Sequence, residues 1–235
     1  SIFYYVLFGM MLSDAAYGFL MAAGCAVILK VCKNMEQSSR NSIKMFMFSG
    51  VSTMFWGVMF GSYFGDAIPV IAKTFFNADI VISPLWFAPL DEPMRLLMFS
   101  MLLGIIHLFT GLAMLVYTKI KNHQYKDALY DGVFWYFLVG GLILALLSTD
   151  MFRDMAGLTF KLPGIVGTVS LVFAAIGAVG IVATAGRESR NPGKRLLKGL
   201  YGLYNISGYL SDILSYSRLL ALGLATGVIA TVFNQ

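Results

Sequence analysis

The sequence predicts an all-α membrane protein, a polytopic bundle of transmembrane helices that ends in a long helix with one polar face. Of its 235 residues, 58% are hydrophobic and only 12% are charged, and the mean hydropathy is +0.77. Soluble domains carry about 25% charged residues, so lipid must replace much of the water around this chain. Apolar runs of the roughly 20 residues that cross a bilayer recur along its length.

These runs predict a single membrane domain over residues 1–235. The first run is interrupted by Ser13-Asp14, and we expect it to bend near Ser13–Gly18, with Asp14 capping the second of two short helices. That bend would leave Ser1 on the cytoplasmic side, whereas one straight span, the alternative, would place it outside. The predicted segments are 2–12, 16–29, 45–65, 94–118, 132–149, 164–186 and 200–233.

Basic residues alternate between the connections. Residues 30–44, 119–131 and 187–198 together hold twelve Lys and Arg residues, whereas 66–95 and 150–161 hold four, beside six acidic residues. Cytoplasmic loops of membrane proteins carry such an excess of Lys and Arg, so the three basic connections are predicted to face the cytoplasm. This orientation explains the net charge of +5 without a nucleic-acid partner.

Cysteine content and short motifs exclude several classes of function. Cys25 and Cys32 form no CxxC motif or Cys/His cluster, so neither a disulfide framework nor a metal site is predicted. No Walker-type GxxxxGK[ST] motif occurs, so nucleotide chemistry belongs elsewhere and no cofactor is predicted. The chain starts at Ser1 without the pattern of a signal peptide, and we expect it to be a piece of a longer protein.

One cation lies inside an apolar run. Arg218 falls within Ile213–Phe233, whereas the other sixteen Lys and Arg residues lie in connections or at span ends. Such a residue is costly in lipid and usually faces water or a partner. Asp212 projects about 120° away from it, so the counter-charge is expected on another subunit. The alternative is that Arg218 snorkels to an interface or pairs silently with Asp14 or a helix terminus. The residues that share its helix face are Tyr204, Ser207, Ser211 and Ser215.

Three other polar residues are candidates for an ion path. Asp14 lies inside the first run, and Asp66 closes the run at 45–65. His107 lies within 94–118, where an imidazole that titrates near neutral pH suits a proton relay; a hydrogen-bonded packing role is the alternative. An acid at a span end, such as Asp66, is often simply solvated.

Several motifs resemble the membrane domain of subunit a of V/A-type rotary ATPases, called subunit I in prokaryotes. The last of them resembles the arginine helix of that family, and the order of the motifs agrees over essentially the whole chain. The motifs are FGMMLSDAAYG (8–18), FWGVMFGSYFGD (55–66), LLGIIHLFTG (102–111) and LYNISGYLSDILSYSRLLALGLATGVIA (203–230).

The resemblance implies a stator beside a rotating ring of small membrane subunits, each with an ion-binding carboxylate. Two aqueous half-channels deliver and remove the ion, and the essential arginine between them corresponds to Arg218. The chain would then be a non-catalytic, ion-translocating subunit of a multi-pass complex in a prokaryotic plasma membrane. The residues implied to line the half-channels are Ser207, Ser211, Ser215, Asp66, His107 and Asp14.

The family also has a cytosolic N-terminal arm, which contacts the peripheral stalk and other ATPase subunits, and a further long span after the arginine helix. Neither is present in residues 1–235, so the fragment alone is not expected to pump. The lipid bilayer and the rotor ring remain as its direct partners. Neither the choice between proton and sodium nor the direction of ATP turnover is specified.

Two other functions stay open. A secondary transporter would bind its substrate around Asp14 and Arg218, and internal repeats, which would favour it, are not evident. A purely structural anchor would leave the polar face of 203–218 without a role.

Overall fold

The computed structural model describes residues 2–150, 153–154, 159–187 and 189–234, and all regular structure in these ranges is helical. The predicted all-α fold with a long C-terminal helical stretch is confirmed. The prediction for Ser1 lies outside the described residues. The described helices long and apolar enough to cross a membrane are Gln37–Phe60, Pro93–Lys121, Tyr125–Leu147, Gly164–Ala185 and Pro192–Asn234.

The described helices are numbered in chain order, with a π-helical turn at Leu129–Val133. They form two compact units: the first contains residues up to Ser100 and those from Ser217 onward, and the second contains Met101–Tyr216. The helices are α1 (Ile2–Leu12), α2 (Ala15–Val31), α3 (Gln37–Phe60), α4 (Ala67–Phe76), α5 (Pro93–Lys121), α6 (Tyr125–Ala128), α7 (Phe134–Leu147), α8 (Gly164–Ala185), α9 (Pro192–Ser215) and α10 (Ser217–Asn234).

In the first unit, α1 and α2 form a bent pair that packs against α3, and α10 packs against α1 and α4. The sequence predicts a bend near Ser13–Gly18, and the helices are separated at Ser13 and Asp14. Ser13 adopts the left-handed region with φ of 38°. Gly57 of α3 lies directly beneath the bend, because a Cβ there would be 2.0 Å from the Ala15 nitrogen.

In the second unit, α8 packs between α7 and α9. The α7–α8 contact is close because a Cβ on Gly177 would lie 2.6 Å from the Leu138 nitrogen. Small residues that let backbones approach are common between membrane helices. The buried core consists of Leu112, Trp135, Leu138, Val139, Ala174 and Ile181.

The last helical stretch differs from the sequence prediction in its start and in its continuity. The last predicted segment, 200–233, begins earlier, at Pro192, because proline suits the first helical position and the basic residues after it are good helix formers. The same segment is divided into α9 and α10. At the division, the Tyr216 N–H donates to the Ile213 carbonyl at 3.1 Å, which tightens the last turn of α9 into a 3₁₀-type turn.

Candidate functional site

Arg218 is the second residue of α10, and its side chain is exposed. The helix packs through another face, on which Leu219 and Gly223 are buried. Within the described ranges, Arg218 forms no hydrogen bond and no ion pair. A guanidinium is always charged and carries five N–H donors, so this side chain is available in full to water or to another molecule.

The serine residues of α9 that precede it are also exposed. Ser207 Oγ donates to the Tyr204 carbonyl at 2.7 Å, and Ser215 Oγ donates to the Asp212 carbonyl at 2.6 Å. Each hydroxyl thus bonds to its own helix, a common arrangement for serine within a helix, and its oxygen can still accept a bond from water. The exposed face of α9 therefore offers hydroxyl oxygen atoms in the stretch that leads to Arg218.

A polar cavity of about 310 Å³ lies in the second unit between α5 and α9. Within it, His107 Nδ1 and the Tyr216 hydroxyl form a hydrogen bond, and the two rings meet edge to face. Gly104 makes room for this contact, since a Cβ there would lie 2.7 Å from Tyr216 Cδ2. The contact fits a packing role for His107, and it also joins two titratable rings in one cavity. The lining residues are Gly104, His107, Leu108, Asp212, Ser215 and Tyr216.

Asp14 is completely buried, with 0% of its surface exposed. Its Oδ1 caps α2 by accepting from two helix N–H groups, and both oxygens also accept from the turn that follows α3. This geometry favours a structural role over the channel-lining role predicted for Asp14, because no oxygen surface is left for a passing ion. The donors are Ala16 N (3.0 Å), Tyr17 N (3.2 Å), Ser62 Oγ (2.9 Å), Phe64 N (3.0 Å) and Gly65 N (2.9 Å).

The turn after α3 is shaped to bind this carboxylate. Phe64 and Gly65 both adopt the left-handed region, with φ of 54° and 67°. Successive N–H groups in such turns converge on one point and form an anion-binding nest. Glycine supplies this conformation without steric cost, whereas Phe64 is strained there and is held by its N–H bond to Asp14.

Asp66 lies at the start of α4 in the first unit but forms no capping bond to that helix. Its Oδ1 accepts instead from Asn234 Nδ2 at 2.9 Å, and the same amide donates to the Phe64 carbonyl at 2.8 Å. Beside it is a cavity of about 220 Å³. Among the described residues, Asp66 therefore accepts a hydrogen bond through one carboxylate oxygen, and it borders a space with further polar groups. The polar lining residues of this cavity are Ser13, Ser62, Asp66, Asp91, Thr226 and Thr231.

A charged network in the second unit borders another polar cavity, of about 340 Å³. Asp131 of the π-helical turn binds Lys119 and faces Arg187 at 3.5 Å. Arg187 also binds Asp127 at 2.6 Å and lies 5.2 Å from the centre of the Tyr130 ring. Burial by itself would lower the pKa of Arg187, but the bonds and charges of Asp131 and Asp127 outweigh burial and raise it.

No family model matches the chain. Among curated proteins, the A-type ATP synthase subunit I of Thermococcus kodakarensis is 32% identical over 234 residues, or 98% of this chain. The chain is a relative of A-type ATP synthase subunit I. The protein of the same name from Pyrococcus horikoshii is 29% identical over 98% of the chain, and that from Methanocaldococcus jannaschii is 28% identical over 97%. The chain spans about a third of the length of these relatives: 32%, 31% and 34% in turn.

In this relative of subunit I, the structure places the predicted site residues in separate surroundings. His107 and Ser215 share one cavity, and Asp66 borders another. Tyr216 was not predicted from the sequence as a site residue, although its position between Ser215 and Arg218 pointed to the site. Among the described side chains, no group of three or more His, Cys, Asp or Glu could hold a metal ion.

Proposed function

We propose that this relative of subunit I is a stator segment of a rotary ATPase, which forms ion half-channels beside a rotating ring of small membrane subunits. Arg218 faces the ion-binding carboxylate of each rotor subunit in turn. A permanent cation favours the ionised carboxylate, so the ion leaves the rotor as the carboxylate approaches Arg218. The observation that carries the proposal is the exposed guanidinium of Arg218 on an apolar helix, which forms no hydrogen bond or ion pair with any described residue.

Position on the helix supports this role over snorkelling. An arginine at the centre of a bilayer costs about 2.5–3.5 kcal/mol on insertion scales. Arg218 precedes Asn234 by sixteen residues, which corresponds to about 24 Å of helix at 1.5 Å per residue. A side chain cannot reach across that length, so snorkelling toward the Asn234 end does not satisfy the cation, and water or a counter-charge nearby is the better fit.

Asp14 and Asp66, two acids of the same unit as Arg218, do not supply its counter-charge. Asp14 has no exposed surface and accepts five hydrogen bonds. Asp66 accepts from Asn234. A carboxylate from another subunit therefore fits best, and a rotor carboxylate explains why a permanently charged arginine, rather than a lysine, occupies this position.

Two cavities are the candidates for the half-channels: the one between α5 and α9 that contains His107, and the one beside α10 that Asp66 borders. In chain order, Asp212 and Ser215 of one cavity precede Arg218, whereas Thr226 and Thr231 of the other follow it. With the orientation predicted from the basic connections, the first belongs to the cytoplasmic half-channel and the second to the external one. The sequence-predicted lining residues are then divided as follows: Ser207, Ser211, Ser215 and His107 on the cytoplasmic path, and Asp66 on the external path.

This assignment makes the protein a non-catalytic subunit of a multi-pass complex in a prokaryotic plasma membrane. ATP is then bound by other subunits of the complex, and the peripheral stalk connects them to the stator. The lipid bilayer and the rotor ring are the partners that contact this segment directly.

The test is ion uptake by vesicles that contain the full complex with Arg218→Ala or Arg218→Lys. We expect uptake to fall to background in both, because alanine removes the cation and an ammonium lacks the planar fork and loses its proton more easily when desolvated. Ser215→Ala is the matched control one turn earlier; it should retain most uptake, because its hydroxyl bonds only to its own helix among the described residues.

Assembly is measured on the same samples by co-purification of the rotor ring. The variants should assemble normally, because Arg218 is exposed and forms no hydrogen bond or ion pair within the described part of the chain. Near-normal uptake in an assembled Arg218→Ala complex would show that this arginine does not drive ion release, and the proposal would then fail.

A further inference from the structure

An apolar groove lies between α8 and α9 in the second unit, near the connection that joins them. It has a volume of about 560 Å³, and Arg195 is the charged residue among its described lining. Several of its apolar residues are largely exposed, including Val179 at 68% and Leu196 at 55%. The lining includes Val179, Val182, Pro192, Arg195, Leu196 and Leu203.

The walls of this groove are fixed by close helix contact. A Cβ on Gly199 would lie 2.3 Å from the Val182 carbonyl oxygen, and one on Gly186 would lie 2.4 Å from the Arg195 carbonyl oxygen. The two helix backbones therefore approach each other closely at both glycines, next to lining residues of the groove. The groove is a preformed feature of the α8–α9 contact, as small-molecule sites usually are.

Arg195 is held at the edge of the groove. Its Nε and Nη2 donate to the Ala183 carbonyl at 3.1 and 2.8 Å, a bond that caps the last turn of α8. A guanidinium has five N–H donors, so three remain after this contact. Fixed guanidinium donors of this kind match the oxygen atoms of a phosphate group.

Other cations lie close to Arg195 in the chain. Arg190, Lys194 and Lys198 are exposed, and none of them pairs with an acidic residue in the described part of the chain. Residues 187–198 carry five basic residues and one acidic residue. An apolar groove that ends at a cluster of cations is complementary to one class of molecule, an anionic lipid.

We propose that the α8–α9 groove binds an anionic phospholipid. One acyl chain lies along Val179, Val182 and Leu203, and the phosphate accepts bonds from Arg195 with Lys198 beside it. The basic residues predict this end of the helices to be cytoplasmic, so the lipid belongs to the inner leaflet. This site is independent of the role assigned to Arg218.

Native mass spectrometry of the full-length protein in detergent tests the site, with phosphatidylglycerol or phosphatidylcholine of identical acyl chains added in separate arms. We expect phosphatidylglycerol to be retained at a concentration at least tenfold lower than phosphatidylcholine. Lys198→Gln and Arg195→Gln should each weaken its retention at least fivefold. Lys198→Gln keeps the test decisive if loss of the Ala183 cap unfolds the Arg195 variant.

Groove-filling variants separate this site from general lipid adhesion. Val179→Trp should weaken retention of phosphatidylglycerol at least fivefold, whereas Leu197→Trp, at a 68% exposed position of α9 that does not line the groove, should leave it unchanged. Equal retention in these two variants would overturn the proposal, as would equal retention of both lipids by the wild type. Displacement of the lipid by millimolar inorganic phosphate would show a plain anion site and would also overturn it.

Discussion

Replacement of Asp14 by alanine should destabilise the first unit strongly, because one carboxylate joins the α1–α2 bend to the turn after α3. The substitution leaves the N–H groups of Phe64 and Gly65 and the Ser62 hydroxyl without their acceptor. It also removes the cap of α2. Asp14→Asn should destabilise the unit nearly as much, since its amide nitrogen would face N–H or O–H donors and could not accept their hydrogen bonds.

The magnitude follows from the bonds that are lost. A buried donor without a partner costs about 1–3 kcal/mol, and loss of an N-cap costs about 1 kcal/mol. Three unpartnered donors and one lost cap should therefore lower the free energy of unfolding by at least about 4 kcal/mol. This figure uses the lower end of each range, because water can enter the vacated space. Asp14→Ser keeps a capping oxygen but cannot reach the turn, so it should recover only about 1 kcal/mol.

The free energy of unfolding is measured by SDS titration of the full-length protein in mixed micelles, with ion uptake of the assembled complex measured in parallel. Asp79→Ala is the matched control, because Asp79 is an exposed acid of the same unit and the change in charge is the same. A loss below about 1 kcal/mol in Asp14→Ala, combined with abolished uptake, would refute the structural role and restore Asp14 to the ion path.

The remaining predictions concern packing and orientation. Gly57→Ala should lower the midpoint of the same SDS titration, because its Cβ would lie 2.0 Å from the Ala15 nitrogen, whereas Gly24→Ala, with open space around it, should not; equal midpoints would contradict the close contact. Single cysteines at Lys126 and Arg190, both exposed, should react with an impermeant maleimide only in inside-out vesicles. Strong labelling of either position in intact cells would reverse the orientation predicted from the basic connections.

The fold class was predictable because it depends on composition. A chain with few charges and long apolar runs lies in lipid, where a helix satisfies its backbone hydrogen bonds within one segment. The regular structure of the described residues is helical accordingly. Helix ends were less predictable, since hydropathy marks where a helix leaves hydrocarbon and not where its hydrogen bonding stops. For this reason α9 begins at Pro192, upstream of the apolar run, and carries Lys194, Arg195 and Lys198 within its first turns.

The candidate site was predictable only in part. Arg218 stands out because a lone cation in an apolar run is costly, and this argument needs no knowledge of its neighbours. Asp14 was identified as a helix cap, but its three donors beyond α3 are 48–51 residues away in the chain. No local pattern reports such contacts. The pairing of Asp131 with Arg187 was hidden for the same reason.

The bonds between Asp14 and the turn after α3 have a consequence for the order of biosynthesis. The chain grows at about 5–20 residues per second, so the donors of the turn, about 50 residues further on, emerge roughly 3–10 s after Asp14. From the completion of α2 until the turn emerges, the carboxylate of Asp14 has only the capping groups of α2 as partners. Stable entry of the bent α1–α2 pair into the lipid therefore waits for the turn after α3, and insertion of the first three helices becomes a single cooperative event.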